Sequence, residues 1–153
     1  MPSDDLYYPA DGSYYAPYDG MYAQCLIEVP NPCRKYHISS DMASAGRIAG
    51  AVLPHLVEME VAHKVVRSRS ALARQMQGRQ AGKFITLYMT VTDDLRNPVI
   101  RSLAERLGAE KRAHGIRPSP TVPKSRRYSH VFIELPLDDN MFIYGGFITD
   151  PSA

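Results

Sequence analysis

The sequence lacks several features that would place it in a special class of protein. None of its apolar runs approaches the roughly 20 residues of a membrane-spanning helix, so no membrane partner is expected. Its two cysteines, Cys25 and Cys33, are too few for a disulfide scaffold and are typical of a reducing, cytoplasmic setting. With His37 they form a spacing that matches no standard zinc site. What is left is an ordinary globular chain, 44% hydrophobic, whose 153 residues suit one domain.

Basic residues are missing from the first twenty positions, which hold four aspartates instead. We therefore expect no secretory signal or transit peptide there. Tyrosines stand among prolines and glycines in this segment without apolar periodicity, so residues 1–20 are predicted to be a flexible Tyr-rich acidic arm and residues 21–150 the folded domain. The alternative is an arm that lies across a partner or peptide. A further hypothesis is that its aspartates cover a cationic pocket when that pocket is empty.

Acidic residues are missing from Val61 to Thr92, a stretch with six cations: Lys64, Arg67, Arg69, Arg74, Arg79 and Lys83. The net charge of +2 hides this concentration, because the arm holds four of the 16 acidic residues and none of the 18 basic ones, which leaves about +6 on the remainder. A solvated surface normally mixes both signs. The cluster therefore indicates an anionic ligand, for which nucleic acid, phosphate and an acidic peptide are candidates.

Apolar periodicity predicts more strands than helices. Strands are expected at residues 22–29, 34–38, 61–66, 84–89, 129–135 and 141–148, and helices follow residues 39–41, 68 and 92. The first two strands are expected to form a hairpin or bent ribbon, and the last two a hairpin around residues 138–140. This pattern predicts an α+β fold, with a largely antiparallel twisted sheet, two main helices packed on it and a cationic cleft.

Two residues in these strands could carry chemistry. Lys64 stands between valines, where desolvation and neighbouring cations lower a lysine pKa enough for a general base; the alternative is a lysine that extends to the surface from an edge strand. His37 shares a strand face with Lys35, and a bound phosphate would favour its protonated, acidic form. The alternative for His37 is a structural role.

Four segments in order resemble a known enzyme domain. They are Lys35-Tyr36-His37-Ile38-Ser39, then HKVVRSRSAL at residues 63–72, GKFITLY at residues 82–88 and YGGF at residues 144–147. Together they resemble the N-terminal lyase domain of class III and IV lanthipeptide synthetases, and the first and third also resemble the phosphothreonine lyases that pathogens inject as effectors. The similarity runs from about residue 33 to residue 148.

The resemblance implies a lyase that needs neither metal nor organic cofactor and removes phosphate from phosphoserine or phosphothreonine by β-elimination, leaving dehydroalanine or dehydrobutyrine. By position, Lys64 would take the α-proton and His37 would protonate the leaving oxygen. The implied phosphate- and substrate-binding residues are Lys35, Arg67, Arg69, Arg79, Lys83, Tyr88, Arg126 and Arg127.

The implied partners are a phosphorylated precursor peptide and a separate kinase and cyclase, since the chain has neither a Gly-rich nucleotide loop nor a His-Arg-Asp segment. It would be a stand-alone lyase or an excised domain. The alternatives are a non-catalytic module that binds phosphopeptide or leader peptide, and an effector lyase acting on a host phosphoprotein. Nucleic-acid binding through the cation cluster ranks last, because no standard binding motif is present.

Overall fold

A computed structural model of the protein describes residues 5–10, 14–91, 98–120, 135–136 and 140–149. Along these residues the elements are β1 (Tyr15–Pro17), β2 (Tyr22–Cys25), β3 (Cys33–Ile38), α1 (Ala45–Glu58), β4 (Ala62–Val66), α2 (Arg69–Gln75), β5 (Ile85–Met89), α3 (Pro98–His114), β6 (Leu135–Pro136) and β7 (Ile143–Thr149). No helix in these ranges is long and apolar enough to cross a membrane.

The described strands form one sheet in the order β1-β2-β4-β5-β3-β7-β6, and every neighbouring pair is antiparallel. The α+β class with a largely antiparallel sheet is confirmed. The predicted hairpin between the first two strands is wrong, because β2 pairs with β1 and β4 while β3 pairs with β5 and β7. The pairing of the last two strands is confirmed, although their connecting residues 137–139 lie outside the described ranges.

The two long helices cover one face of the sheet. Helix α1 buries a stripe with helical spacing, Ala45, Ile48, Ala49, Val52, Leu53 and Leu56, and α3 buries Ile100, Leu103 and Leu107. These side chains form one core cluster with the residues of β3, β4 and β5 that point the same way, among them Tyr36, Val65 and Leu87. Because side chains alternate along a strand, the intervening residues point to the opposite face, away from the two helices.

Part of the Tyr-rich arm is built into the fold. Residues Tyr15–Pro17 pair with β2, and Tyr15 is 5% exposed. Its hydroxyl lies 2.6 Å from Nε2 of His63, and the ring of Tyr7 meets Phe84 edge-on. For these residues the expectation of an arm lying apart from the core is corrected, because the tyrosine rings supply apolar area that the edge of the sheet can bury. The division of the chain at residue 21 stays a prediction.

A β-bulge shapes the centre of the sheet beside β3. The register of β7 shifts between Lys35 and Tyr36, which pair with Phe147 and Gly145, so that one residue of β7 is extra. Gly145 has a φ of 106°, and an added Cβ would lie 2.9 Å from the carbonyl oxygen of Lys35. Glycine is therefore required at this position by both conformation and space.

Candidate active site

A row of polar side chains crosses five neighbouring strands on the face away from α1 and α3. The register pairs Gln24 with Lys64, Lys64 with Thr86, Thr86 with His37 and His37 with Tyr144. Directly opposed residues of antiparallel strands point to the same face, so these five side chains stand side by side. Lys64 and His37 are two strands apart, which puts their Cα atoms about 10 Å from each other.

Four residues of this row, all but Tyr144, line a cavity of about 640 Å³. The cavity lining combines three lysines and a histidine with several aromatic rings: Tyr18, Asp19, Met21, Tyr22, Gln24, Val29, Lys35, His37, Lys64, Gln80, Lys83, Thr86 and Tyr88. A volume of this size holds a phosphorylated side chain with part of its peptide backbone, and the lysines supply the positive charge that a phosphate requires.

Lys64 is half-buried in this cavity with its Nζ against an aromatic ring. The Nζ is 4.2 Å from the centroid of the Tyr22 ring. The pKa of Lys64 is lowered, first by burial and second by the positive charge of Lys35, while the carboxylate of Asp19 opposes that shift. A larger share of neutral amine at neutral pH follows, and only the neutral amine can accept a proton.

His37 is almost fully buried, at 1% exposure, and its orientation is fixed from β5. Its Nδ1 lies 3.2 Å from the hydroxyl oxygen of Thr86, and its ring is 5.2 Å from that of Tyr144, centroid to centroid. The Tyr144 hydroxyl in turn donates to the Gly82 carbonyl oxygen at 2.9 Å. With Nδ1 held by Thr86, Nε2 is the atom left to exchange a proton with a ligand.

Lys35 and Tyr88 form a second cross-strand pair one step along the sheet. They are register partners, and the Lys35 Nζ is 5.7 Å from the centroid of the Tyr88 ring. Both side chains are buried, at 8% and 5% exposure, and burial raises the pKa of the Tyr88 hydroxyl. Tyr88 is therefore a neutral phenol, able to donate a hydrogen bond to a phosphate or carbonyl oxygen.

The structure brings together five of the ten residues that the sequence singled out: Lys35, His37, Lys64, Lys83 and Tyr88. Arg69 and Arg79 are exposed and do not line the cavity. Arg67 does not line it either, and its guanidinium donates to the Asp19 carbonyl oxygen at 3.3 Å. That these three arginines contact phosphate stays a prediction, which the cavity lining does not support. Arg126 and Arg127 lie outside the described residues.

Two parts of the cavity wall were missed by sequence reasoning. Thr86 is a polar residue in a largely apolar strand. It is two residues from Tyr88, and this spacing places both side chains on the same face of the sheet, the face of the cavity. Residues 18–20 of the turn at 18–21 belong to the predicted arm, yet Tyr18 and Asp19 line the cavity. Asp19 Oδ1 accepts from the backbone N–H groups of Met21 and Tyr22, and Arg74 donates to the Gly20 carbonyl oxygen at 2.8 Å. An Asp-Gly pair is a common turn signal.

The arrangement has the parts of an acid–base site for an anionic substrate. A lysine with a lowered pKa and an oriented histidine point into one cavity from two strands that share a neighbour. Lys35 and Lys83 line the same cavity and add positive charge to it. Such a set can remove a proton at one atom, supply a proton at another and stabilise an anion in the same place.

Most of this chain matches one known protein family. The model of a family described as "RamC, N-terminal domain" matches residues 24–133, which is most of the sequence. The chain belongs to the RamC N-terminal domain family. The matched segment contains Lys35, His37, Lys64, Lys83 and Tyr88. No curated protein is similar to the chain in sequence.

Solved structures with the same fold include two bacterial effectors. One is the phosphothreonine lyase SpvC, an effector protein from Salmonella, with a TM-score of 0.57 and 17% identity over 100% of this chain and 83% of that one. The other is OspF from Shigella flexneri, a type III effector and phosphothreonine lyase, with a TM-score of 0.54 and 11% identity over 99% and 85%. The resemblance to phosphothreonine lyases is thus confirmed for the fold.

Proposed function

We propose that this protein is a phosphoserine/phosphothreonine lyase, a carbon–oxygen lyase that eliminates phosphate from a phosphorylated peptide and leaves dehydroalanine or dehydrobutyrine. The observation that carries the proposal is the placement of Lys64 and His37 opposite the same residue, Thr86, in one cationic cavity. The fold of known phosphothreonine lyases supports it.

In the proposed reaction Lys64 is the base. Its neutral amine takes the proton from the α-carbon of the phosphorylated residue and becomes an ammonium. The electrons of the Cα–H bond form the Cα=Cβ double bond as the Cβ–O bond to phosphate breaks. The lowered pKa of Lys64 supplies the neutral amine that this step needs.

His37 is the proposed acid. Its protonated ring gives a proton to the leaving phosphate oxygen and becomes neutral, so the site gains one proton at Lys64 and loses one at His37. A bound phosphate dianion favours the protonated ring before the step. Thr86, bonded to Nδ1, keeps Nε2 directed at the leaving group.

Lys35, Lys83 and Tyr88 are the proposed binding groups for phosphate and for the carbonyl beside the α-carbon. Negative charge grows on both during elimination, and fixed donors in a closed site stabilise it without reorganising. Arg126 and Arg127 remain in this proposal as further phosphate contacts. Organic cofactors have no role in the proposed chemistry.

The proposed biological substrate is a ribosomally made precursor peptide in lanthipeptide-type biosynthesis. The four sequence segments that resemble the lyase domain of lanthipeptide synthetases support this choice. A kinase would install the phosphate and a cyclase would use the dehydroamino acid, and we propose both as separate partners of the chain.

Mass spectrometry of a phosphoserine or phosphothreonine peptide incubated with the protein tests the reaction. The expected product has lost phosphoric acid as a unit and adds a thiol across the new double bond. A phosphatase would instead leave a hydroxyl, which adds no thiol. Hydroxyl product, or binding of the peptide with no product, would contradict the proposal, and the second result would favour a phosphopeptide-binding module.

Two variants connect the reaction to the residues. Lys64→Ala and His37→Asn should each lower kcat by about 10²-fold or more, as expected for loss of a general base or acid. Both should still bind phosphopeptide, because Lys35 and Lys83 remain. Turnover by Lys64→Ala at the wild-type rate would remove Lys64 from its proposed role.

A further inference from the structure

The amine of Lys64 lies over an aromatic ring that the mechanism above does not use. Its Nζ is 4.2 Å from the centroid of the Tyr22 ring, well within the about 6 Å at which a cation is attracted to a ring face. The ring of Tyr18 is a second, more distant neighbour at 5.9 Å. When the Lys64 amine is protonated, its charge therefore lies against a π surface rather than in open water.

Tyr22 is held in place from several directions. Its backbone pairs with Val66 in the neighbouring strand, and its N–H donates to Asp19 Oδ1 at 2.8 Å. Its hydroxyl oxygen accepts from Nε2 of Gln75 on α2 at 3.0 Å, and the side chain is only 5% exposed. The ring therefore keeps its orientation before any ligand arrives.

Gln75 connects that ring to the rest of the site. The same Nε2 donates to the backbone carbonyl oxygen of Lys83 at 2.8 Å. Tyr22 is thus tied through one amide to the chain just before β5, where Lys83 faces the cavity. The Gln75 side-chain amide thus connects the ring beside the Lys64 amine with the backbone of Lys83, a proposed phosphate-binding residue.

Resting on the function proposed above, we infer that Tyr22 is a positioning residue for the base: its ring face holds the Lys64 amine at the cavity and stabilises the positive charge that this amine acquires when it takes the α-proton. The proton moves from the α-carbon to Nζ, and the ring is neither protonated nor oxidised. A ring already in place contributes to this step without reorganising.

The protein groups around Lys64 offer little other stabilisation for a positive charge. Lys35 and His37 face the cavity from β3, Lys83 from the chain before β5 and Tyr88 from β5, while Tyr18 and Asp19 face it from the turn before β2. Among the described residues of the lining, Asp19 is the one carboxylate, and it is exposed. Apart from the phosphate of the substrate, a new ammonium on Lys64 would otherwise meet mainly cations and neutral groups of the protein.

Two substitutions of Tyr22 separate the ring face from the hydroxyl. Tyr22→Leu keeps an apolar side chain but removes the π surface, and should lower kcat about tenfold with little change in KM. It should also move the ascending limb of the pH–rate profile to lower pH, because the protonated amine loses a favourable contact. Tyr22→Phe keeps the face and should stay within about threefold of wild type.

Tyr14→Leu is the matched control. Tyr14 is an exposed tyrosine of the N-terminal arm, at 53% exposure, and does not line this cavity. Its substitution should leave kcat and the pH profile unchanged. Should Tyr22→Leu fail to fold, phenylalanines with increasing fluorination at position 22 keep the ring shape while weakening its face, and kcat should fall with each added fluorine.

NMR titration of the Lys64 side chain, with its signals assigned by comparison with Lys64→Arg, tests the contact between Lys64 and the Tyr22 ring without measuring turnover. The Lys64 pKa should fall in Tyr22→Leu and in the fluorinated series. No change there, or equal loss of activity in Tyr22→Leu and Tyr22→Phe, would overturn the inference. If the titration behaves as expected but wild-type protein eliminates no phosphate, the positioning of Lys64 stands and the proposed function falls.

Discussion

Lys64 and His37 lie two strands apart on one face of the sheet because each is the cross-strand partner of Thr86. The strand that separates the proposed base from the proposed acid is therefore also the strand that orients the acid, through the 3.2 Å contact between Thr86 Oγ1 and His37 Nδ1. A substrate bound above Thr86 would have one of the two groups on either side of its Cα–Cβ bond.

The Thr86 hydroxyl should matter for rate more than for binding. Thr86→Val is nearly isosteric but removes the hydrogen bond to Nδ1, so we expect kcat to fall about tenfold, equivalent to about 1.4 kcal/mol and typical of one hydrogen bond. Thr86→Ser should retain most of the activity. Steady-state kinetics with a phosphopeptide measure both, and an equal loss in the two variants would argue against an orienting hydroxyl.

The cations between Val61 and Thr92 should differ in their effect on phosphopeptide binding, according to whether they line the cavity. Lys83 lines the cavity, whereas Arg79 is exposed a few residues earlier and does not. Lys83→Gln should weaken phosphopeptide binding about tenfold, as expected for a charge-assisted contact. Arg79→Gln changes the net charge equally and should alter the Kd less than about twofold. Isothermal titration on the Lys64→Ala background measures both, and equal effects would indicate a diffuse field instead of a site.

His63 should make the stability of the fold sensitive to mild acid. It is fully buried on the helix-covered face, with Nδ1 2.7 Å from the Val61 carbonyl oxygen and Nε2 2.6 Å from the Tyr15 hydroxyl. Burial lowers its pKa from 6.5 to about 4. As the pH falls, His63 is therefore protonated in the unfolded chain before it is protonated in the folded protein. The contribution of His63 to the free energy of unfolding is complete above pH 6.5 and is lost as the pH falls toward 4.

Urea unfolding between pH 7.5 and pH 4 checks this linkage. The loss attributable to His63 should be about 3 kcal/mol in the free energy of unfolding. His63→Gln should remove most of that slope, whereas His114→Gln, at an exposed histidine near the end of α3, should preserve it. A slope of the same size in His63→Gln would assign the acid sensitivity to other groups.

Gly145 should be intolerant of a side chain. Its φ of 106° strains any residue with a Cβ, and the added atom would meet the Lys35 carbonyl oxygen at 2.9 Å, between two residues of the proposed site. Gly145→Ala should cost more than about 1 kcal/mol of stability and lower kcat, because β3 must shift.

Gly50→Ala is the matched control for that substitution. Gly50 lies in α1 and a Cβ there meets nothing within 4 Å, so alanine should stabilise the helix by up to about 1 kcal/mol. Thermal unfolding of the two variants should shift in opposite directions. A neutral Gly145→Ala would show that the bulge tolerates an ordinary residue.

Much of the fold could be predicted from local sequence patterns. Alternation placed Lys35 and His37 on one face of β3 with Tyr36 and Ile38 on the other, and helical spacing gave the buried stripe of α1. These features follow from the backbone geometry of a single element, so a sequence read in order reveals them. The composition also showed that the chain has an excess of cations in one stretch, and hence a preference for anions.

The choice among those cations needed the tertiary structure. By sequence Lys83, Arg67 and Arg79 belong to the same acid-free segment, yet Lys83 lines the cavity while Arg67 holds the 18–21 turn and Arg79 faces solvent. Loops and helix ends have no fixed period, so the direction of a side chain there depends on what packs against it. For the same reason, the sequence did not predict that Tyr18 and Asp19 line the cavity.

The sequence by itself determined which residues share a face and what charge that face carries. Only the tertiary structure decided which strands are neighbours: it set β5 between β4 and β3, so that Thr86 stands between Lys64 and His37. Side-chain alternation is a local consequence of backbone geometry, whereas strand order depends on how residues far apart in the chain bury their apolar sides together.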